Sequence, residues 1–211
     1  MIPVNVLAVR YLANASPGLC DALGAPSGYP SLGMLTTDCD DATYIALDAA
    51  TKAAEVEVAY GCSFYAGSAN ASTPHAGEVL GILAGRTPGA VKSGMEAALS
   101  CLSRIGFEEA NHVPYLAHTV SAVGSFLAKE AGVSVGTALA YLIAPPLEAM
   151  YAMDAALKAA DVKLCKLYAP PTETNFGGGL LSGTQSACDA ACAAFAAAVA
   201  EVAKNPKNNK L

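Results

Sequence analysis

The stretch Asp48–Val58, DAATKAAEVEV, decides the fold, because Asp154–Leu164 writes it again as DAALKAADVKL. The two copies lie 106 residues apart and agree at Asp, Ala, Ala, Lys, Ala, Ala and Val. The echo extends both ways. SLGMLTTD from Ser31 faces LAYLIAPP from Leu139, Ala22–Gly24 faces Glu130–Gly132, and Leu83–Gly85 faces Leu181–Gly183 at a shorter offset. Matched elements with trimmed loops are the mark of an internal repeat rather than of two alanine-rich helices alike by chance. The chain is therefore one domain doubled, with halves 1–105 and 106–211, and the boundary falls between Ile105 and Pro114.

Each half is long enough to bury its own core. The unit reads βαβαββα. A strand at Val4–Ala13 leads to a short helix opened by Ser16-Pro17, then a buried strand at Ser31–Thr37. Asp40 or Asp41 caps a helix to Ala54, because a carboxylate there accepts from the free N–H groups of the first turn. Val56–Tyr65 alternates as a half-buried strand, Gly67–Gly77 is a loop of turn formers, and Glu78–Ala84 is a strand. Thr87-Pro88 opens a helix to Arg104. The second half repeats the plan with strands from Tyr115, at Leu139–Ile143 and at Val162–Ala169, and helices at Ser125–Ala131, through DAALKAAD and at Thr184–Ala203. A short strand is expected at Leu180-Leu181, with Gly177–Gly179 before it as backbone that must turn or line a narrow opening. The class is α+β, with helices packed on a mixed, ferredoxin-like sheet.

Composition excludes several function classes. Of 211 residues 54% are hydrophobic and only 14% charged, with no Trp, which points to a surface hidden in contacts between copies. A net charge of −6 without a basic, aromatic-laced run argues against nucleic acid. The longest apolar run, Ala190–Ala200, is too short to span a bilayer, and Met1–Arg10 lacks the pattern of a signal peptide, so no membrane association is expected. Seven irregularly spaced cysteines suit a reducing cytosol better than a disulfide framework. Cys188 and Cys192, one helical turn apart, are expected in the core rather than on zinc. No nucleophile elbow or phosphate loop is present, so the chain is not expected to be an enzyme and no cofactor is called for.

The segments Thr36–Val58, Phe64–Ser72, Ala76–Gly85, Ala144–Val162 and Pro170–Phe176 together resemble bacterial microcompartment shell proteins, of the tandem-domain kind found in ethanolamine-utilising compartments. The resemblance covers nearly the whole chain. It implies two circularly permuted shell domains, and a homotrimer that imitates a hexamer and tiles with other shell proteins into a flat layer within the cytoplasm. It also implies a gated central pore and small acidic pores that bind or pass ethanolamine. Lys52 and its echo Lys158 would then sit at the tile edge. The sequence departs from that pattern in its short N-terminus, in a short Gly106–Tyr115 segment and in Ala122, where a basic residue is usual.

The halves diverge most at two corresponding loops. TTDCDD faces IAPPLE, and GSANASTPHAG faces PPTETNFGGG, so one half carries carboxylates and the other hydroxyls and amides. A primary ammonium asks for up to three acceptors and opposite charge, which Asp40, Asp41 and Glu78 supply. By the resemblance, Phe107 and Phe176 close over the solute's carbons and Thr174 or Asn175 meets its hydroxyl. Competing uses of the same carboxylates are simple helix capping and a metal site, although Asp38-x-Asp40-Asp41 lacks the glycine and final glutamate of a calcium loop. The alternative at the level of function is a soluble sensor for an ethanolamine-type ligand that never tiles.

Overall fold

A computed structural model of the chain describes residues 1–64, 73 and 75–207. It resolves into two compact units. One comprises Pro3–Gly106 with Gly124–Leu127, and the other Met1–Ile2, Phe107–Val123 and Ala128–Leu211.

The first unit runs β1 (Val6–Leu12), α1 (Pro17–Ala22), β2 (Ser31–Thr37), α2 (Asp40–Ala53), β3 (Val56–Ser63), β4 (Val79–Gly85) and α3 (Pro88–Leu102). Its four strands lie in the order β1-β2-β4-β3, each antiparallel to its neighbour. The expected mixed sheet is thus antiparallel in its hydrogen-bonded pairs. The crossover through α2 does make β2 and β3 parallel, but β4 inserts between them. Helices α2 and α3 lie on one face and bury Leu35, Leu47, Leu83 and Met95, while Leu32 packs with Ala15, Ile82 and Ala84 on the other. The close approach needs glycine: a Cβ at Gly81 would meet Leu47 Cδ1 at 2.9 Å, and one at Gly33 would meet Val91 and Met95 side chains at 2.7 Å. Tyr65 and most of the Gly67–Gly77 loop lie outside the described residues.

The second unit runs β5 (Glu108–Ala110), β6 (Val113–Val120), β7 (Ala138–Ala144), α5 (Pro146–Ala159), β8 (Val162–Tyr168), β9 (Gly177–Gly183) and α6 (Gln185–Lys204). Between β6 and β7 lies α4 (Ser125–Ala131), whose first residues belong to the first unit. The sheet order is β5-β6-β7-β9-β8, again antiparallel between neighbours. Phe195 is fully buried, with Leu142 and Leu181 in the same core. Alanines at 149, 152 and 156 on α5 and at 191 and 198 on α6 are buried in one cluster, so the two helix backbones approach closely. The 20 residues of α6 are long and apolar enough to cross a membrane by length and composition alone. In the fold, Cys188, Ala191, Cys192, Phe195, Ala198 and Val199 are the buried face of a core helix.

Two details differ from the sequence reading. Gly177–Gly179 form the start of β9 instead of a turn before it. β7 and β8 flank this strand so closely that a Cβ on Gly178 would fall 1.8 Å from the Leu142 carbonyl oxygen, and one on Gly179 2.4 Å from that of Lys166. Gly106–Tyr115 holds an added hairpin, β5–β6. Its two-residue turn places Asn111 and His112 at positive φ (47° and 65°), the geometry that matches the twist of the paired strands.

The repeat survives in backbone detail. Gly24 and Gly132, and Gly28 and Gly136, all have positive φ. The strand irregularities at Val58/Tyr60 and Leu164/Lys166 correspond, as do the helix caps Thr87 and Thr184, which accept from Ala90 and Ala187 N–H groups.

Candidate functional site

The acidic loop between β2 and α2 is held from both sides. Asn5 donates its side-chain amide (2.6 Å) and backbone N–H (2.8 Å) to the Asp38 carboxylate, which leaves Asp38 engaged in structure. The Thr37 and Thr43 hydroxyls lie 2.7 Å apart and both reach the Cys39 carbonyl. The capping residue of α2 is Cys39. Asp40 and Asp41 are therefore inside the first turn, and Asp40 Oδ1 accepts the Asp41 N–H at 2.8 Å. The capping expectation does not hold: the cap position is Cys39, without a side-chain cap hydrogen bond, and the two aspartates follow it in the first turn.

Both aspartates are nearly enclosed, at 7% and 8% exposure. Burial raises the Asp40 carboxyl above its ordinary range, opposed by hydrogen bonds from the Asp41 N–H, Ser63 and Asp41. Glu78 follows at the entry to β4, its own N–H donating to the Thr37 carbonyl at 2.8 Å. It is pushed up to about 7, first by desolvation and then by the negative charges of Asp40 and Asp38. Tyr44, one turn along α2, is hydrogen-bonded to Ser63 and its phenol is raised well above the usual value by burial. Burial also raises the Cys39 thiol, with Asp41 adding to it. Asp40, Asp41 and Glu78 are thus one desolvated, electronegative group, joined to Tyr44 through Ser63. Among the described residues no trio of His, Cys, Asp or Glu side chains has metal-binding geometry.

The other sequence candidates belong to the second unit. Phe107 and Phe176 pack edge to face with ring centroids 5.6 Å apart. The 172–176 turn is closed by the Thr172 hydroxyl donating to the Phe176 carbonyl at 2.6 Å, with Asn175 at φ 62° and Thr174 half-buried between them. The structure therefore assembles the predicted residues into two groups, carboxylates in one unit and aromatics with polar neighbours in the other.

A BMC domain matches residues 31–115. The bacterial microcompartment shell protein EutL of Clostridium perfringens is 58% identical over 98% of this chain and 97% of its own length, and that of Escherichia coli is 47% identical over 98% and 96%. The crystal structure of ethanolamine utilization protein EutL from Leptotrichia buccalis superposes with a TM-score of 0.95 at 57% identity, covering 98% of this chain and 97% of that one. The chain belongs to the EutL family of bacterial microcompartment shell proteins. A solved microcompartment shell protein PduB, at 18% identity and a TM-score of 0.79, shares the fold.

In this shell protein the repeated motif supplies two different environments. Lys52 pairs with Asp48 (3.3 Å) and Lys158 with Asp154 (2.6 Å), each one helical turn back. Lys52 is 36% exposed and Lys158 75%. Asp48 is fully buried, whereas Asp154 is 64% exposed. Asp48 accepts the Gly124 N–H on Oδ2 (2.8 Å) and the Leu127 N–H on Oδ1 (2.9 Å). Beside it, Thr51 Oγ1 accepts the Ser125 N–H at 3.1 Å and Glu57 accepts the Ser125 hydroxyl at 3.2 Å. Sequence reasoning passed over Asp48 because an aspartate stands at that place in both halves. The signals were the neighbouring Thr51/Leu157 and Glu57/Lys163 differences.

Proposed function

We propose that this shell protein assembles as a homotrimer, six repeat units around a gated central pore, and that the Asp40–Asp41–Glu78 group binds a small primary ammonium such as ethanolamine. The ammonium binding rests on one observation, the gathering of two buried aspartates, Asp40 and Asp41, with the half-buried Glu78, burial raising the carboxyls of Asp40 and Glu78. An ammonium entering such a group relieves their repulsion and donates charge-assisted hydrogen bonds to the carboxylate oxygens in place of lost water. The ethanolamine utilization context of the solved relative supports that ligand class. Three doubled chains reproduce the six-fold arrangement that a single-domain tile would need six chains to make. Lys52 and Lys158 are assigned to the tile edge. Phe107, Thr174, Asn175 and Phe176 are assigned apolar and hydroxyl contacts to solute on their own unit.

Titration calorimetry with ethanolamine tests the site. Asp41→Asn should weaken binding by about 1.5–3 kcal/mol, the worth of a hydrogen bond to a charged group. Affinity equal to that of the parent chain would remove Asp41 from it.

A further inference from the structure

Asp40, Tyr44 and Asp48 follow one another at helical-turn spacing along one face of α2. At one end of this face stand the carboxylates, and at the other Asp48 holds the Gly124 and Leu127 N–H groups. Tyr44 lies between them. The Phe126 ring, on the segment that Asp48 holds, tilts against the Tyr44 ring with centroids 6.0 Å apart. Both rings lie over Gly61 of β3, with Phe126 Cζ at 3.4 Å and Tyr44 Cε1 at 3.5 Å from the place a Cβ would take. Two residues further along β3, the Ser63 side chain is hydrogen-bonded to both the Tyr44 phenol and the Asp40 carboxylate. Ser63 is itself fixed by the sheet: it pairs with Val79, and next to it the Phe64 N–H donates to the Glu78 carbonyl at 2.8 Å. A serine hydroxyl has one proton to give and lone pairs to accept another. Ser63 gives its proton to Asp40, so the bond to Tyr44 is made with the proton of the phenol.

We infer that Ser63 is a positioning residue for cation binding: its hydroxyl, oriented by Tyr44, fixes the Asp40 carboxylate within the Asp40–Asp41–Glu78 group. The inference rests on the ammonium reading above. In the other repeat the three carboxylates are replaced by Pro146, Leu147 and Phe176. Tyr44 and Ser63 are replaced with them, by Met150 and Ala169, which carry no hydroxyl. The hydroxyl pair therefore accompanies the carboxylates, and the fold does not depend on it, since α5 and β8 form the same helix and strand without it. The titratable groups around Asp40 are Asp41 and Tyr44 on its own helix, Cys39 at the cap and Glu78 at the entry to β4, where Asp38 adds its charge. None of these brings positive charge, so hydrogen-bond donors are what oppose the effect of burial on Asp40, and Ser63 is the donor that comes from another element. Without it the Asp40 carboxyl keeps its own proton to higher pH, and an entering ammonium must displace that proton.

Titration calorimetry with ethanolamine, repeated from about pH 6 to about pH 8, reads this role. Ser63→Ala should weaken binding about tenfold or more at about pH 7, and its curve of affinity against pH should lie at higher pH than that of the parent chain. Ser63→Thr keeps the hydroxyl on a residue suited to a strand and should bind as the parent does. Tyr44→Phe, a milder second variant, leaves the Ser63 hydroxyl in place without its orienting partner and should fall between parent and Ser63→Ala. Parent-like affinity and pH profile in Ser63→Ala would overturn the role of Ser63 and leave the ammonium reading standing. Equal weakening by Ser63→Ala and Ser63→Thr at every pH would overturn it as well, because packing alone then accounts for the loss. A parent chain that binds no ethanolamine at any pH overturns the ammonium reading and this inference with it.

Discussion

Replacing Asp48 by alanine tests the buried clamp directly. The side chain is fully enclosed, and its two oxygens accept two backbone N–H groups, from Gly124 and Leu127, besides the Lys52 ammonium. A hydrogen bond to a charged acceptor contributes about 1.5–3 kcal/mol, and each buried N–H left without a partner costs about 1–3 kcal/mol. These overlap, since both describe the same lost bonds, so the expected loss is about 3–5 kcal/mol, within the range for breaking a buried charged network. For a chain of this size that lowers the melting midpoint by roughly 10 °C at fixed protein concentration. Hydrogen exchange provides the local reading: the Gly124 and Leu127 amides should exchange much faster in Asp48→Ala. Asp154→Ala, the same substitution in the other repeat, removes only an exposed pair and should leave the protection of those two amides unchanged. A stability loss below about 0.5 kcal/mol for Asp48→Ala, the ordinary range for a surface change, would refute the clamp.

Glu78 makes stability depend on pH. Its folded carboxyl is pushed up to about 7, against the ordinary 4.5 of a glutamate, so the folded state binds the proton more tightly than the unfolded chain. Stability should therefore fall as pH rises from about 4.5 to about 7 and flatten above, with Asp40 contributing in the same direction. Glu78→Gln should flatten part of that slope, and superimposable urea-unfolding midpoints for parent and variant across this window would contradict the assignment. Phe195→Ala, at a fully buried ring, should cost about 3–5 kcal/mol in urea unfolding, and a loss under 1 kcal/mol would show that the second core does not depend on it.

Most elements were legible because their signals are local. Ser31–Thr37 and Ser125–Ala131 fall where propensity, proline and glycine placed them, and the threonine caps of the last helix of each unit follow from Thr87-Pro88 and from Thr184. Less legible were features set by neighbours in space. The glycines of β9 looked like a turn, since nothing local tells a strand squeezed between two others from a flexible bend. The β5–β6 hairpin turns on Asn111 and His112, a pair without the glycine that usually announces such a turn. At the candidate site the carboxylates were named from charge and repeat divergence. Their desolvation, and the Ser63 link to Tyr44, became visible only once β3 and β4 brought Ser63 and Glu78 beside α2.

By itself the sequence determined the doubling, the order of elements and the shell-protein family, all of which reside in patterns along the chain. Tertiary structure decided what each copy of the motif does. Asp48 and Asp154 occupy the same place in nearly the same eleven residues, yet one is buried under two backbone N–H groups and the other stands in solvent. The physical reason is that a carboxylate's role depends on which donors surround it and how much water they displace. At Asp48 those donors come from 76 and 79 residues away along the chain.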